Sequence, residues 1–246
     1  MLRKVFFLLV FVLDTVICGS LAVLFSYIPG CEKKVRKAEE YWARIAVFAS
    51  GVRLNTRLPE LEQNSNYIFF CNHQSHLDTP ILLALLKDYQ PRFLAKESLF
   101  KIPFLGQGMY KTGHFSVNRD NARQGMRDLQ RAAENLDQGE SLLVFPEGTR
   151  SKTGEVQEFY TGGFIIALKT WSTPIVPVVL EGTKNVLPKG SISLGKERDV
   201  YIMGREPIYI HQEYGVKERE RLKKDMQTII EQMYSELREW MERNKD

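Results

Sequence analysis

The stretch Asn72-His73-Gln74-Ser75-His76-Leu77-Asp78 holds two of the four histidines in the chain, an aspartate, and three further side chains able to hydrogen-bond. Metal ligation, proton transfer and a polar turn all suit that composition. Residues five apart on a regular helix lie about 140° apart around the axis and do not meet. Across a turn that leads into a helix, His73 and Asp78 can. A carboxylate on one imidazole nitrogen fixes the tautomer and stabilises the imidazolium formed when the other nitrogen takes a proton, so the pair reads as a positioned general base. As a metal array, His73, His76 and Asp78 lack support, because only His114 and His211 remain elsewhere and no carboxylate-rich motif accompanies them. A purely structural turn, with Asp78 capping the next helix, stays open on this stretch alone.

A second cluster shifts the balance towards chemistry. Phe145-Pro146-Glu147-Gly148-Thr149-Arg150-Ser151 gathers a glycine, two hydroxyls, a carboxylate and a guanidinium in one short segment. Gly148 permits close backbone approach, and Arg150 can fork two hydrogen bonds onto a phosphate. Lys96, in FLAKESLFKIPFLG, and Arg119, in KTGHFSVNRDN, follow and precede regular elements, and both could come from loops on the same side.

The elements that must position these residues are those of an α/β domain. YIFFC (67–71), RFLA (92–95), SLLVF (141–145) and PIVPVVLEG (174–182) read as strands, with more strand between Tyr201 and Ile210 around Pro207. TPILLALLKD (79–88), with Thr79 as cap and Pro80 in the first turn, reads as a helix, as do 121–136, capped by Asp120, and GGFIIALKT (162–170). Beyond Val216, Leu222, Met226, Ile229, Met233, Leu237 and Trp240 recur at helical spacing and predict a long C-terminal helix packed on the core. Both clusters then fall where strands end and loops begin, which is where α/β sheets collect their ligands. At 246 residues and 43% apolar content the chain can bury one sizeable core. Its formal net charge of +4, spread over scattered Lys and Arg, does not demand a nucleic-acid partner. Three cysteines, Cys18, Cys31 and Cys71, match no zinc framework and suit a reducing cytosol.

The N-terminus differs in kind. Val5 to Ile28 carries one charge, Asp14, and as a helix of about 36 Å would be long enough to cross a hydrocarbon core of about 30 Å. Its flanks are basic on both sides, Arg3 and Lys4 before, Lys33, Lys34, Arg36 and Lys37 after, so the charges do not point to opposite faces of a membrane. The next segment sets Trp42, Ile45, Phe48, Ala49 and Val52 on one stripe, as in a helix lying at an interface. A helical hairpin embedded in one leaflet, bent near Gly19-Ser20, is the expected arrangement, with a single span as its rival.

These stretches together resemble the glycerolipid acyltransferases, and specifically the bacterial 1-acyl-sn-glycerol-3-phosphate acyltransferases. His73 to Asp78 matches N-H-x-x-x-x-D when Asn72 is included, Phe145 to Ser151 matches F-P-E-G-T-R-S, and Val176 to Thr183 is similar to the family's proline-containing strand. Gly113 and Arg119 fit a third block in which Ser116 and Val117 replace the usual Phe and Ile. The resemblance implies an α/β fold, a mixed sheet flanked by helices, with residues 1–52 as membrane-anchoring helices and 53–246 as the catalytic domain. It implies transfer of an acyl group from acyl-CoA or acyl-carrier protein to the sn-2 hydroxyl of lysophosphatidic acid, at the cytoplasmic side of the cytoplasmic membrane, with no cofactor, no metal and no nucleic acid. His73 would be the base and Asp78 its orienter. Lys96, Arg119, Glu147, Gly148, Thr149 and Arg150 would bind substrate, and His76 inherits no role. Another lysophospholipid as acceptor, a catalytically silent lipid-binding protein and a metal-dependent phosphoesterase are the alternatives.

Overall fold

The structure is a computed structural model and describes residues 2–117, 122–137, 139–170, 173–191, 193–215 and 217–244. Helices α1 (Leu2–Ser26) and α2 (Glu32–Ser50) come first, then β1 (Arg53–Arg57), β2 (Ile68–Cys71), α3 (Asp78–Leu85), β3 (Arg92–Lys96), α4 (Glu97–Phe100), α5 (Leu105–Lys111) and β4 (Phe115–Val117). They are followed by α6 (Ala122–Asp137), β5 (Leu142–Val144), α7 (Gly162–Lys169), β6 (Ile175–Glu181), α8 (Thr183–Val186), β7 (Asp199–Gly204) and the long α9 (Arg219–Arg243). The strands form one mixed sheet in the order β1-β7-β6-β2-β5-β3-β4, parallel throughout except where β6 meets β7.

The central strands read as unbroken apolar runs because helices cover both faces of the sheet. Successive side chains of β2 point to opposite sides. Phe69 and Cys71 join a core with Leu143, Val178, Ile81 and Leu82, under α3 and α2. Ile68 and Phe70 join another with Leu142, Phe164, Met226 and Leu237, under α7 and α9. The periodic apolar face of α9 therefore packs on the sheet, as its spacing predicts.

Some local expectations change. α3 starts at Asp78 with Leu77 at its N-cap, not at a Thr79 cap, because the Asp78 carboxylate turns back toward the preceding loop instead of forward into the helix. Strand structure around Pro207 shrinks to a single bridge, Ile175 with Ile208, since proline has no N–H to continue the ladder. The bend in the N-terminal hairpin falls not at Gly19-Ser20 but at Tyr27–Cys31, where α1 ends. Gly19 instead lets α1 press against the start of α5, since a Cβ at this position would lie 2.5 Å from the Phe104 carbonyl oxygen. Asp120, expected to cap α6, lies outside the described residues.

The hairpin closes on itself and on the sheet domain. The Arg3 guanidinium donates to the Ser50 carbonyl at 2.7 Å and to the Gly195 carbonyl at 3.0 Å, tying the start of α1 to the end of α2 and to a loop of the α/β part. The stripe expected on α2 divides. Trp42 turns inward and donates to Thr15 at 3.1 Å, Ala43, Ala46 and Ala49 are buried, and Phe48 faces out, 78% exposed. Further along, α2 is joined to the sheet by a polar cluster in which Arg92 pairs with Glu140 at 3.0 Å, Arg36 pairs with Glu140 at 2.9 Å, and His114 bonds Glu39.

Candidate active site

The loop from Asn72 to Leu77 leaves the carboxyl end of β2, a central strand, and is pinned at nearly every residue. The Asn72 amide donates to the Leu180 carbonyl at 2.9 Å and accepts from the Leu180 N–H at 2.8 Å, so one side chain stands in for a strand partner of β6 where β2 has ended. The Gln74 amide nitrogen, fully buried, reaches the Gly154 carbonyl, Glu181 and the Tyr234 hydroxyl of α9. The Ser75 hydroxyl donates to the Leu187 carbonyl at 2.7 Å.

Within this frame Asp78, 0% exposed, makes the decisive contacts. Its Oδ2 accepts the Gln74 N–H at 2.6 Å and the Ser75 N–H at 2.8 Å and lies 2.7 Å from Nδ1 of His73. An ionised Asp78 requires the His73 hydrogen on Nδ1, which leaves Nε2 basic. Among the described residues Nε2 makes no hydrogen bond, and the imidazole stacks on Phe145 at 4.0 Å between centroids. The side chain is 17% exposed, enough for a reactant to reach. Such an arrangement can serve as a general base whose orienting carboxylate is already engaged.

The segment Pro146 to Gly154 leaves the neighbouring strand β5 and wraps beside this turn. Gly148, at φ +66°, takes a left-handed conformation that lets its N–H bond back to the Phe145 carbonyl. Glu147 is 1% exposed; its carboxylate accepts the His73 N–H at 2.8 Å and the Gln157 side chain at 2.8 Å, and the Ser151 N–H donates to the His73 carbonyl at 2.7 Å. The two loops are thereby locked at fixed separation. Burial drives Glu147 up to about 7, against the pull of its hydrogen-bond donors. Among the described residues one terminal nitrogen of Arg150 is buried with no hydrogen-bond partner, and desolvation lowers its pKa against the pull of Asp78.

His76 sits in the crowded mouth of a cavity although its ring keeps access to solvent. Partial desolvation, with Arg150 and His73 close by, pushes it down to about 4, so it stays neutral at ordinary pH. The cavity, of about 460 Å³, runs between the hairpin and the sheet domain; Phe7, Phe11, Trp42, Leu105 and Met109 line it, and His76 and Leu77 bring it to the His73–Asp78 turn.

Lys96 is exposed at the carboxyl end of β3, two strand positions and roughly 10 Å from β2 along the same carboxyl edge of the sheet. Arg119 lies outside the described residues. Thr149 is exposed, and its hydroxyl accepts a hydrogen bond from Lys189 at 3.1 Å. Sequence reasoning missed Lys189, Gln157 and the anchoring work of Asn72, Gln74 and Ser75, whose partners are remote along the chain. Among the described residues no three His, Cys, Asp or Glu side chains gather into a set able to hold a metal ion.

Residues 52–181 match the Acyltransferase family model. The chain is 36% identical over 171 residues to the chloroplastic 1-acyl-sn-glycerol-3-phosphate acyltransferase BAT2 of Brassica napus, a match covering 68% of this chain and 48% of that relative. It thus spans about half the length of that chloroplast protein. It is 30% identical over 223 residues to the 1-acyl-sn-glycerol-3-phosphate acyltransferase of Escherichia coli strain K12, covering 89% of this chain and 86% of the relative. The fold is similar, with a TM-score of 0.80 at 26% identity, to the crystal structure of the 1-acyl-sn-glycerophosphate (LPA) acyltransferase PlsC from Thermotoga maritima, over 96% of this chain and 95% of that one.

Proposed function

The chain belongs to the acyltransferase family, and from that premise we propose that it moves a fatty acyl group from a thioester donor to the sn-2 hydroxyl of 1-acyl-sn-glycerol-3-phosphate. The observation that carries this reading is the buried Asp78 holding His73 with Nε2 open, beside an Arg150 whose buried Nη1 has no hydrogen-bond partner among the described residues. The names of the bacterial relatives point to the same acceptor.

The reaction needs one mobile proton. Nε2 of His73 takes the hydroxyl proton as that oxygen attacks the thioester carbonyl, and the Asp78 carboxylate steadies the imidazolium. The new C–O bond forms, the C–S bond breaks, and the imidazolium returns the proton to the leaving thiolate. His73 ends neutral and no acyl-enzyme is formed. Arg150, with Lys96 and Arg119 as further candidates, faces the acceptor's phosphate. Glu147 and Gly148 shape the loop that presents Arg150, and Thr149 lies beside it.

Membrane association fits the same chemistry. α1 exposes Leu9, Val12, Leu13 and Leu24, and Phe104 and Tyr110 of the α5 region extend that apolar surface, a patch of a kind seldom left in water. A two-chain lipid product formed there need not be drawn fully out of the bilayer, and each methylene kept buried avoids about 0.8 kcal/mol. The Arg3 bonds to Ser50 and Gly195 favour a hairpin seated in one leaflet, with both ends on the catalytic side, over a single span.

The test is an assay of purified protein with lysophosphatidic acid and, in separate reactions, acyl-CoA and acyl-carrier protein. Phosphatidic acid should form with at least one donor and vanish in His73→Ala with membrane binding retained. Transfer that survives His73→Ala refutes the base assignment. Activity lost to a chelator and restored by one defined metal would favour a phosphoesterase instead.

A further inference from the structure

Lys189 lies outside the matched family region and outside both motifs, yet it reaches the Phe145–Ser151 loop. β6 ends at Glu181, α8 follows, and the chain beyond α8 turns back toward β5. There the Lys189 ammonium donates to Thr149 Oγ1 at 3.1 Å and to the Arg150 carbonyl. Both acceptors are neutral, and an ammonium has three protons. Among the described residues no carboxylate stands within ion-pair distance of Lys189 or Arg150. Desolvation lowers the Lys189 pKa and the nearby charges of Arg150 and Lys152 lower it further, with Glu147 opposing them. Cations are thus brought close together while a buried Arg150 nitrogen has no acceptor among the described residues. Such crowding is unfavourable until an anion arrives, and a dianion relieves it best.

We infer that Lys189 joins Arg150 in binding a phosphate monoester of a substrate. The inference rests on the acyl-transfer reading for the identity of the ligand. Two sources share the chemistry: the acceptor's glycerol phosphate and the 3′-phosphate of acyl-CoA. Acyl-carrier protein offers only a phosphodiester and so separates them.

Lys189→Met and Lys189→Arg are the variants to compare with wild type in steady-state assays. Losing a charge-assisted hydrogen bond should raise the relevant KM about 10- to 100-fold in Lys189→Met with kcat nearly unchanged, and Lys189→Arg should restore it. A rise in KM for lysophosphatidic acid, larger than for its methyl phosphodiester and seen with either donor, assigns the acceptor phosphate. A rise in KM for acyl-CoA but not for acyl-carrier protein assigns the donor phosphate. If kcat falls with both KM values unchanged, or monoester and diester suffer alike, Lys189 merely staples the Thr149–Arg150 peptide and the inference fails. Should wild type transfer no acyl group, the acyl-transfer reading falls by itself, and calorimetric titration with inorganic phosphate decides Lys189. Weaker binding by Lys189→Met upholds it; equal binding overturns it.

Discussion

Two histidines three residues apart carry different fates because of what lies behind each. His73 has a buried carboxylate on Nδ1, whereas His76 sits at the cavity mouth, where desolvation and the charges of Arg150 and His73 outweigh the pull of Asp78. Asp78→Asn tests the difference. An asparagine oxygen can still accept the Gln74 and Ser75 N–H groups, so the turn should survive, but the charge that steadies the imidazolium is gone. We expect kcat to fall about 10²- to 10⁴-fold, the range typical of general acid–base catalysis, with little change in KM for the acceptor. His76→Ala should cost less than about tenfold and leave the shape of the pH–rate profile unaltered, since a group pushed down to about 4 does not titrate where the enzyme is assayed. Equal losses in the two variants would overturn the division of roles.

At the scale of elements, the site is a junction between the turn after β2 and the loop after β5, and Glu147 is the joint. Its carboxylate holds the His73 N–H from one side and Gln157 from the other. Because its folded-state pKa is raised to about 7 from 4.5, the folded protein holds this proton more tightly than the unfolded chain. Its stabilising contribution is therefore complete below about pH 4.5 and declines as pH rises through about 7, by an amount of order 3 kcal/mol. Glu147→Gln removes the titration. Denaturant unfolding in detergent from pH 5 to 8 should show the wild type losing stability relative to the variant across that window, and parallel curves would contradict it. The strands that bring these loops together were legible because β2, β3, β5 and β6 are apolar runs bounded by turn residues, and His73 and Asp78 because a five-residue spacing suits a turn. β1, reading Arg-Leu-Asn-Thr-Arg at the sheet edge, and the short α4, α5 and α8 offered no such period. The pins of the site were hidden for a related reason. Asn72 finds Leu180 108 residues away and Gln74 finds Tyr234 160 residues away, and no local pattern encodes a partner at that distance.

At the scale of the whole molecule, α1 is long and apolar enough to span a bilayer, yet it packs against α2 and α5 as one arm of a hairpin. Basic residues flank α1 on both sides, so they do not assign its two ends to opposite faces of a membrane. The fold supports the proposed one-leaflet seat, since a spanning α1 would have to abandon the Arg3 bonds to Ser50 and Gly195, the Trp42 bond to Thr15, and the Gly19 contact with Phe104. Each loss would strand polar backbone or open a packed seam, while insertion in one leaflet keeps them all and still buries the exposed apolar face of α1. Leu2→Cys reports on this directly, because Leu2 is exposed whereas Cys18, Cys31 and Cys71 are buried and should react slowly. A membrane-impermeant maleimide should leave position 2 unlabelled in intact cells and label it once the cells are broken open. Labelling in intact cells would mean that α1 crosses the bilayer and that its docking against α5 gives way in the membrane.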